Sequence, residues 1–425
     1  MILNKNIADA RACRTMSLNE LKLLSNTRLR TIIRHAYKTT VFYKNLMDKA
    51  GVKPDDIKGT DDLSLLPSVS KKEIIAHSQD IISSLFFEED CLIKTTSRSP
   101  GKSLKVLLEA DSARNILSAQ YRGLELNGFG PGKKLAHSLQ IPENFDLFRH
   151  IHIETGMPFE ETRKRILEFK PDTLAISPSY AIGLGKVLSD DDIKKIGIES
   201  ISLHSEVLFP QDRSDIERKF KCRTYNTYSS VETGSIAGMC DNSNMHVFND
   251  NIVMEIIDSQ GNPTLPGERG EIVLTSLTNF SMPFIRFRIG DFSYFTEEQL
   301  CSCGLPFPII GPIEGRKDDS FRLENGKKVP AWKIYEAIEK PLEEFGMDKR
   351  VLSDFYLVQE STTNAILYYV KGPDFHENQL KKLQMGIENL FGMDLNIDID
   401  ETRNIGRMKT VKRKYIHCEL NSKGF

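Results

Sequence analysis

Residues 225–234 read YNTYSSVETG, from Tyr225 to Gly234. Upstream, Glu217-Arg218-Lys219-Phe220 closes a helical pattern, and Cys222 to Tyr228 is rich in Thr and Tyr, which favour strands. Downstream come the small residues Gly234 and Ser235. Between them an aromatic ring, two hydroxyls and a carboxylate sit within five positions: Tyr228, Ser229, Ser230, Val231 and Glu232. A tyrosine face can stack on a purine, hydroxyls can bond phosphate oxygens, and a carboxylate can hold a magnesium ion that bridges them. On this stretch alone, an ordinary strand-to-loop junction is the preferred reading.

Two later stretches change the weighting. Pro283 to Asp291 reads PFIRFRIGD and Gly315 to Asp319 reads GRKDD. Their order and spacing after YNTYSSVETG resemble the adenylate-forming enzymes, in particular the phenylacetate-CoA ligase and CapK-like branch, whose versions read like YGSTE, P-x-IRYRxGD and GRxDD. The likeness starts early. Ala36-Tyr37, Phe42-Tyr43, Gly51-Val52, Asp61-Asp62-Leu63 and Leu66-Pro67, within Leu29 to Ile74, resemble that branch's N-terminal helices.

The chain has 425 residues, enough for two or three domains and a large core. It carries 57 basic and 59 acidic residues, so the molecule as a whole has no electrostatic drive toward nucleic acid. No apolar run approaches the roughly 20 residues that span a bilayer, and the N-terminus lacks the apolar core of a secretory signal. The expectation is a cytoplasmic protein with no membrane and no nucleic-acid partner. Seven unevenly spread cysteines do not form a disulfide framework; reduced thiols or metal ligands suit them better.

Residues 18 to 50 place Leu21, Leu24, Leu29, Ile32, Ile33 and Ala36 at helical steps, and Ser70 with Glu73 reads as a reciprocal helix cap. Cys91 to Lys94 reads as a strand. From Lys134 to Leu203 apolar runs at 134–139, 173–177 and 198–203 alternate with helical patterns at 159–169 and 180–188, which argues for parallel α/β layers. His150 and His152 fall on one face of a strand and are read as structural, as is His204. From Val247 to Phe295 the pattern is β, with runs at 253–257, 270–274 and 284–287. Beyond Gly315-Arg316 it becomes a small α+β unit, with strands at 355–359 and 365–370, a helix over 377–390 and a strand near 395–399. The fold class expected is α/β: a large N-terminal α/β domain with a β-rich part, and a small C-terminal α+β lid.

The resemblance supplies roles. It implies an adenylation domain over 1–316 and a mobile lid over 317–425, hinged at Asp318. Glu232 would bind Mg²⁺, Asp291 would take the ribose hydroxyls of ATP, and Arg316 would reinforce that grip. Tyr228, Ser229 and Ser230 would line the nucleotide site, with Ser205 and Glu206 where the family has its adenine loop. Thr96, Ser97, Ser99, Gly101 and Lys102 match the family's TSGTTGKP phosphate loop; Arg98 and Pro100 depart from it. Near the C-terminus Arg407 occupies the place of the family's catalytic lysine, with Lys409 two positions on.

Cys240, His246, Cys301 and Cys303 supply four soft or borderline ligands, and the branch carries a similar arrangement ahead of GRxDD. A structural Zn²⁺ is the expectation. The function implied is ATP-dependent, AMP-forming activation of a small carboxylic acid, followed by transfer to a thiol, most simply that of CoA. The alternatives are a carrier-protein thiol, an amine, or a degenerate relative that binds nucleotide without turnover. The acid and the oligomeric state, a homodimer included, stay open.

Overall fold

The computed structural model describes residues 2–96, 103–141, 147–154, 156–298, 300–343, 351–402, 405 and 415–421. Its N-terminal helices start where the caps predict. Ser17 accepts from the Glu20 amide and Glu20 returns a bond to the Ser17 amide, opening the helix Leu18–Thr39. That helix buries Leu21, Ser25, Leu29, Ile32, Ile33 and Ala36, one stripe at three- and four-residue spacing. Thr40 is extended, so it ends this helix and caps the next, Val41–Ala50, which stops at left-handed Gly51.

These helices share a core with a four-stranded sheet ordered Val69–Ser70, Phe287–Ser293, Gly270–Ser276 and Ile252–Ile257. The expected strand at 284–287 begins only at Phe287. Arg286 lies at φ 47°, a left-handed conformation that breaks strand pairing, and its amide bonds the Thr275 hydroxyl instead. Val69–Ser70 pairs in parallel with Phe287 and Arg288, which brings the helix Lys71–Ala76 beside the IGD motif.

The second layer is an eight-stranded sheet. Its order from one edge is Ile309–Ile310, Met245–Val247, Gly234–Met239, Arg223–Ser230, Ser200–Leu203, Thr173–Ile176, Leu135–His137 and His150–His152. From Arg223–Ser230 to His150–His152 every pairing is parallel; toward Ile309–Ile310 every pairing is antiparallel. The helices Phe159–Phe169, Pro178–Val187, Asp190–Ile196 and Pro210–Phe220 pack on the parallel half. In such sheets ligands gather outside the carboxyl ends of the strands. Tyr228, His204 and His137 all lie at those ends.

The helix Ala110–Leu126 lies against Gly234–Met239. A Cβ on Gly234, whose φ is +77°, would come within 2.6 Å of Ile116, so only glycine allows this approach. The same helix carries Arg122, 1% exposed, paired at 2.9 Å with Asp250, itself 2% exposed, and stacked over the Phe248 ring. Removing one partner of such a pair would strand the other charge, at roughly 3–5 kcal/mol.

After a short turn at Lys317–Asp319 the chain builds a separate sheet, ordered Asn396–Glu401, Asn364–Lys371, Leu352–Gln359 and Ile416–Cys418. The helices Ala331–Glu343 and Glu377–Phe391 share its core. One residue from before the turn joins that core. Phe209 stands with its ring centroid 4.2 Å from Tyr415, 5.3 Å from Tyr335 and 5.6 Å from Phe355, and the Tyr415 hydroxyl donates to Asp212. Among the described residues, no helix is long and apolar enough to cross a membrane.

Candidate active site

The strand Arg223–Ser230 runs into the turn at Val231–Thr233 and returns as Gly234–Met239, with a register shift at Tyr228 and Ser229. Ser230 closes this turn: its Oγ accepts from the Thr233 amide at 3.0 Å and lies 2.9 Å from the Thr233 hydroxyl. Glu232 projects from the turn, is 6% exposed, and accepts from Lys71 Nζ at 2.8 Å. Lys71 escapes sequence reasoning. It is the first residue of the helix opened by the Ser70–Glu73 cap, but nothing in the chain links it to a residue 161 positions away.

Asp291 receives the Tyr228 hydroxyl at 2.8 Å on Oδ2 and Arg316 Nε at 3.0 Å on Oδ1. Its backbone is bridged to that of Arg316, so the IGD and GRKDD motifs meet directly. Burial, and then the Asp291 charge, raise the Tyr228 phenol well above its ordinary range, which keeps it a donor. A carboxylate has about four lone-pair sites. That chemistry suits two hydroxyls on adjacent carbons.

The other two charges of PFIRFRIGD turn elsewhere. Arg286 pairs with Glu255 at 2.8 Å and donates to the Leu66 carbonyl, while Arg288 pairs with Glu271, which also holds Lys317 at 3.0 Å. The alternation of the strand explains Arg288: odd positions 287–293 are buried, and 288 and 290 are not. Of the three charges, only Asp291 reaches Tyr228.

Ser205 is exposed at φ 74°, its hydroxyl 2.9 Å from His204 Nδ1. Glu206 accepts from the Ser179 amide at 3.0 Å and the Ser179 hydroxyl at 2.9 Å, so it caps the helix Pro178–Val187. Thr96 is buried at the base of its loop, accepting from the Leu104 amide at 2.9 Å. Ser97, Ser99, Gly101 and Lys102 lie outside the described residues, as do Arg407 and Lys409. His150, read as structural, forms a 3.0 Å bond to His137, a residue the sequence reading passed over. His137 lies 3.2 Å from the Leu139 carbonyl, and burial with the neighbouring His150 and His152 pushes its imidazole down to about 3.

The four soft ligands converge. Cys240 follows the strand Gly234–Met239, His246 lies on its antiparallel partner, and Cys301 and Cys303 precede Ile309–Ile310, which pairs with His246. Their donor atoms all fall within 4.8 Å of one another. Cys240 Sγ is 3.8 Å from Cys301 Sγ, and Cys303 Sγ is 3.4 Å from His246 Nε2. A tetrahedron with bonds of about 2.3 Å has edges near ~3.8 Å, so the set fits a zinc-sized ion. His246 Nδ1 lies 3.1 Å from the Phe307 carbonyl; donating there leaves Nε2 to ligate. Burial alone would raise the Cys301 thiol, but bonds from Asn244 and the Cys303 amide outweigh it and hold it down at about 6.

No family model matches the chain. Its sequence is 26% identical over 343 residues to a phenylacetate-coenzyme A ligase of Thermus thermophilus, covering 74% of this chain and 75% of that one. It is 22% identical over 423 residues to the CapK protein of Staphylococcus aureus, covering 95% and 90%. The chain is thus similar in sequence to phenylacetate-CoA ligases and to CapK. The fold expected from the sequence is the fold these comparisons show, that of adenylate-forming enzymes. A 2-hydroxyisobutyryl-CoA ligase in its postadenylation state, 19% identical, superposes with a TM-score of 0.77 over 97% of this chain and 92% of its own. The thioesterification state of the same ligase gives 0.65.

Proposed function

We propose that the protein activates a carboxylic acid with ATP, releasing pyrophosphate, and passes the acyl group from the acyl-adenylate to the thiol of CoA. One observation carries this. Two motif carboxylates 59 positions apart stand around one strand end: Asp291 accepts from the buried Tyr228 phenol and is held by Arg316, and Glu232, four residues after Tyr228, is held by Lys71.

In this reading Asp291 fixes the ribose, with Tyr228 and Arg316 fixing Asp291. The substrate carboxylate attacks the α-phosphorus, a phosphorus–oxygen bond forms, and the bond to pyrophosphate breaks. Thr96, Ser97, Ser99, Gly101 and Lys102 form the phosphate loop, and Ser229 and Ser230 flank the nucleotide. Magnesium held at Glu232 would offset the phosphate charge. Lys71 then has a place in the reading: it orients Glu232 beside the phosphates.

The segment from Lys317 onward is the lid, hinged at Asp318, and brings Lys409, or Arg407 in its place, to the α-phosphate. In the second step the thiol sulfur attacks the acyl carbon and AMP leaves with the carbon–oxygen bond pair, the thiol proton passing to solvent. Cys240, His246, Cys301 and Cys303 hold a structural zinc that clasps the antiparallel edge and takes no part in the chemistry. A reducing cytoplasm suits a chain none of whose seven cysteines is in a disulfide.

Pyrophosphate release across a panel of acids, with and without CoA, tests the reading. Acid-dependent release and CoA-dependent thioester are expected, with Glu232→Gln slowing release more than it weakens ATP. Release that CoA never converts to thioester would move the acceptor to a carrier thiol or an amine.

A further inference from the structure

A narrow cavity lies against the hairpin that carries Glu232. It is lined by Gln120, Leu124, Leu139 and His204, by Ser202 and Thr227 between them, and by Ser229 and Ser235 on either side of the motif turn. Its volume of about 20 Å³ admits little more than one water. Three of its polar side chains are already paired. Ser202 Oγ takes the Asn127 amide at 3.0 Å and meets Thr227 Oγ1 at 3.1 Å, and His204 is held by Ser205. Two are not. Ser235 is 3% exposed, and neither its Oγ nor the buried Gln120 Oε1 has a hydrogen-bond partner among the described residues.

Buried polar atoms are ordinarily satisfied, and leaving one bare is costly. An alanine and a leucine at these positions would line an apolar pocket without that cost. The arrangement makes sense when something polar arrives. Gln120 Oε1 accepts only, while a serine hydroxyl both donates and accepts. A hydroxyl group on the ligand would donate to Gln120 Oε1 and accept from Ser235, satisfying both.

We propose that this cavity receives the hydroxyl of the acyl group, and that the acid activated is a short-chain hydroxy acid rather than an aryl acid. The proposal rests on the carboxylate-activating reading above and specifies its substrate. Leu124 and Leu139 line the same cavity, whose volume admits no ring. A site built to bond a substrate hydroxyl rejects the analogue that lacks it, because its own buried groups are then left unpaired.

The test is kcat/KM for pyrophosphate release by the full chain with matched pairs: glycolate and acetate, lactate and propanoate, 3-hydroxybutanoate and butanoate, with phenylacetate beside them. At least one hydroxy acid should exceed its partner by on the order of 10²-fold or more. Gln120→Leu and Ser235→Ala should each narrow that ratio to within about tenfold while leaving the KM for ATP unchanged. Ser235→Ala removes a single oxygen, so it reports even if Gln120→Leu folds poorly. A preference for phenylacetate or the unsubstituted acids, or a ratio that neither variant moves, overturns the proposal and leaves acid activation standing. ATP binding without pyrophosphate release from any acid overturns both.

Discussion

Asp291 is the residue on which nucleotide affinity should turn. It offers charge-assisted bonds of about 1.5–3 kcal/mol each, so Asp291→Ala should weaken ATP binding by at least about tenfold in titration calorimetry. Tyr228→Phe removes only the phenol that braces it and should cost less. Equal affinity in both variants would remove the ribose from this site. His137 makes a prediction of another kind. Its imidazole is pushed down to about 3 by burial and by His150 and His152, whereas an unfolded histidine titrates near 6.5. As pH falls below 6.5 the unfolded chain takes up a proton that the folded chain refuses, so this residue lowers stability from there toward pH 3, by at most about 1.4 kcal/mol per pH unit. Urea midpoints at pH 7.5 and 5.5 should differ less in His137→Gln than in the parent. Asp291 was legible because its neighbours spell a motif; His137 was not, because its partner His150 reaches it only through the pairing of two short strands.

Among elements, the antiparallel edge of the large sheet carries the clearest expectation. Its three strands are short, and two of the four soft ligands come from a loop about 60 residues beyond Cys240 and His246. Protein purified without chelator should contain about one zinc per chain, and stripping it should lower the melting temperature. Cys301→Ser with Cys303→Ser should abolish the metal; zinc kept by that double variant would sink the assignment. This cluster was readable because ligand chemistry survives without knowledge of pairing. So were the cap at Ser70 and the alternation of strands and helices from 134 to 203, since each is a local rule; the cap at Ser17 obeys the same rule and was not read. The early start assigned to the strand at 284 failed because a hydrophobic run does not reveal that Arg286 adopts a left-handed conformation. Lys71, and the capping contact of Glu206, stayed hidden for a related reason. Their partners, Glu232 and Ser179, are supplied by the tertiary fold alone.

For the whole molecule, the described contact between the core of the C-terminal sheet and the preceding chain is aromatic. Phe209 inserts among Tyr335, Phe355 and Tyr415, and Tyr415 donates to Asp212. Truncating a buried phenylalanine costs on the order of 3–5 kcal/mol. If the lid reading holds, Phe209→Ala should loosen the small domain in small-angle scattering and slow acyl-adenylate formation more than thioester formation from supplied acyl-adenylate. Equal slowing of both steps, with unchanged scattering, would show that Phe209 does not hold the lid.

His204 and Phe209 are ends of one short stretch of chain. At one end the imidazole walls the cavity; at the other the phenyl ring is lodged in the C-terminal domain, and between them Ser205 holds a backbone angle that side-chain-bearing residues rarely adopt. If the lid reading holds, a ligand that displaces His204 also disturbs the seat of the Phe209 ring five residues on, and glycines inserted between the two should separate these events.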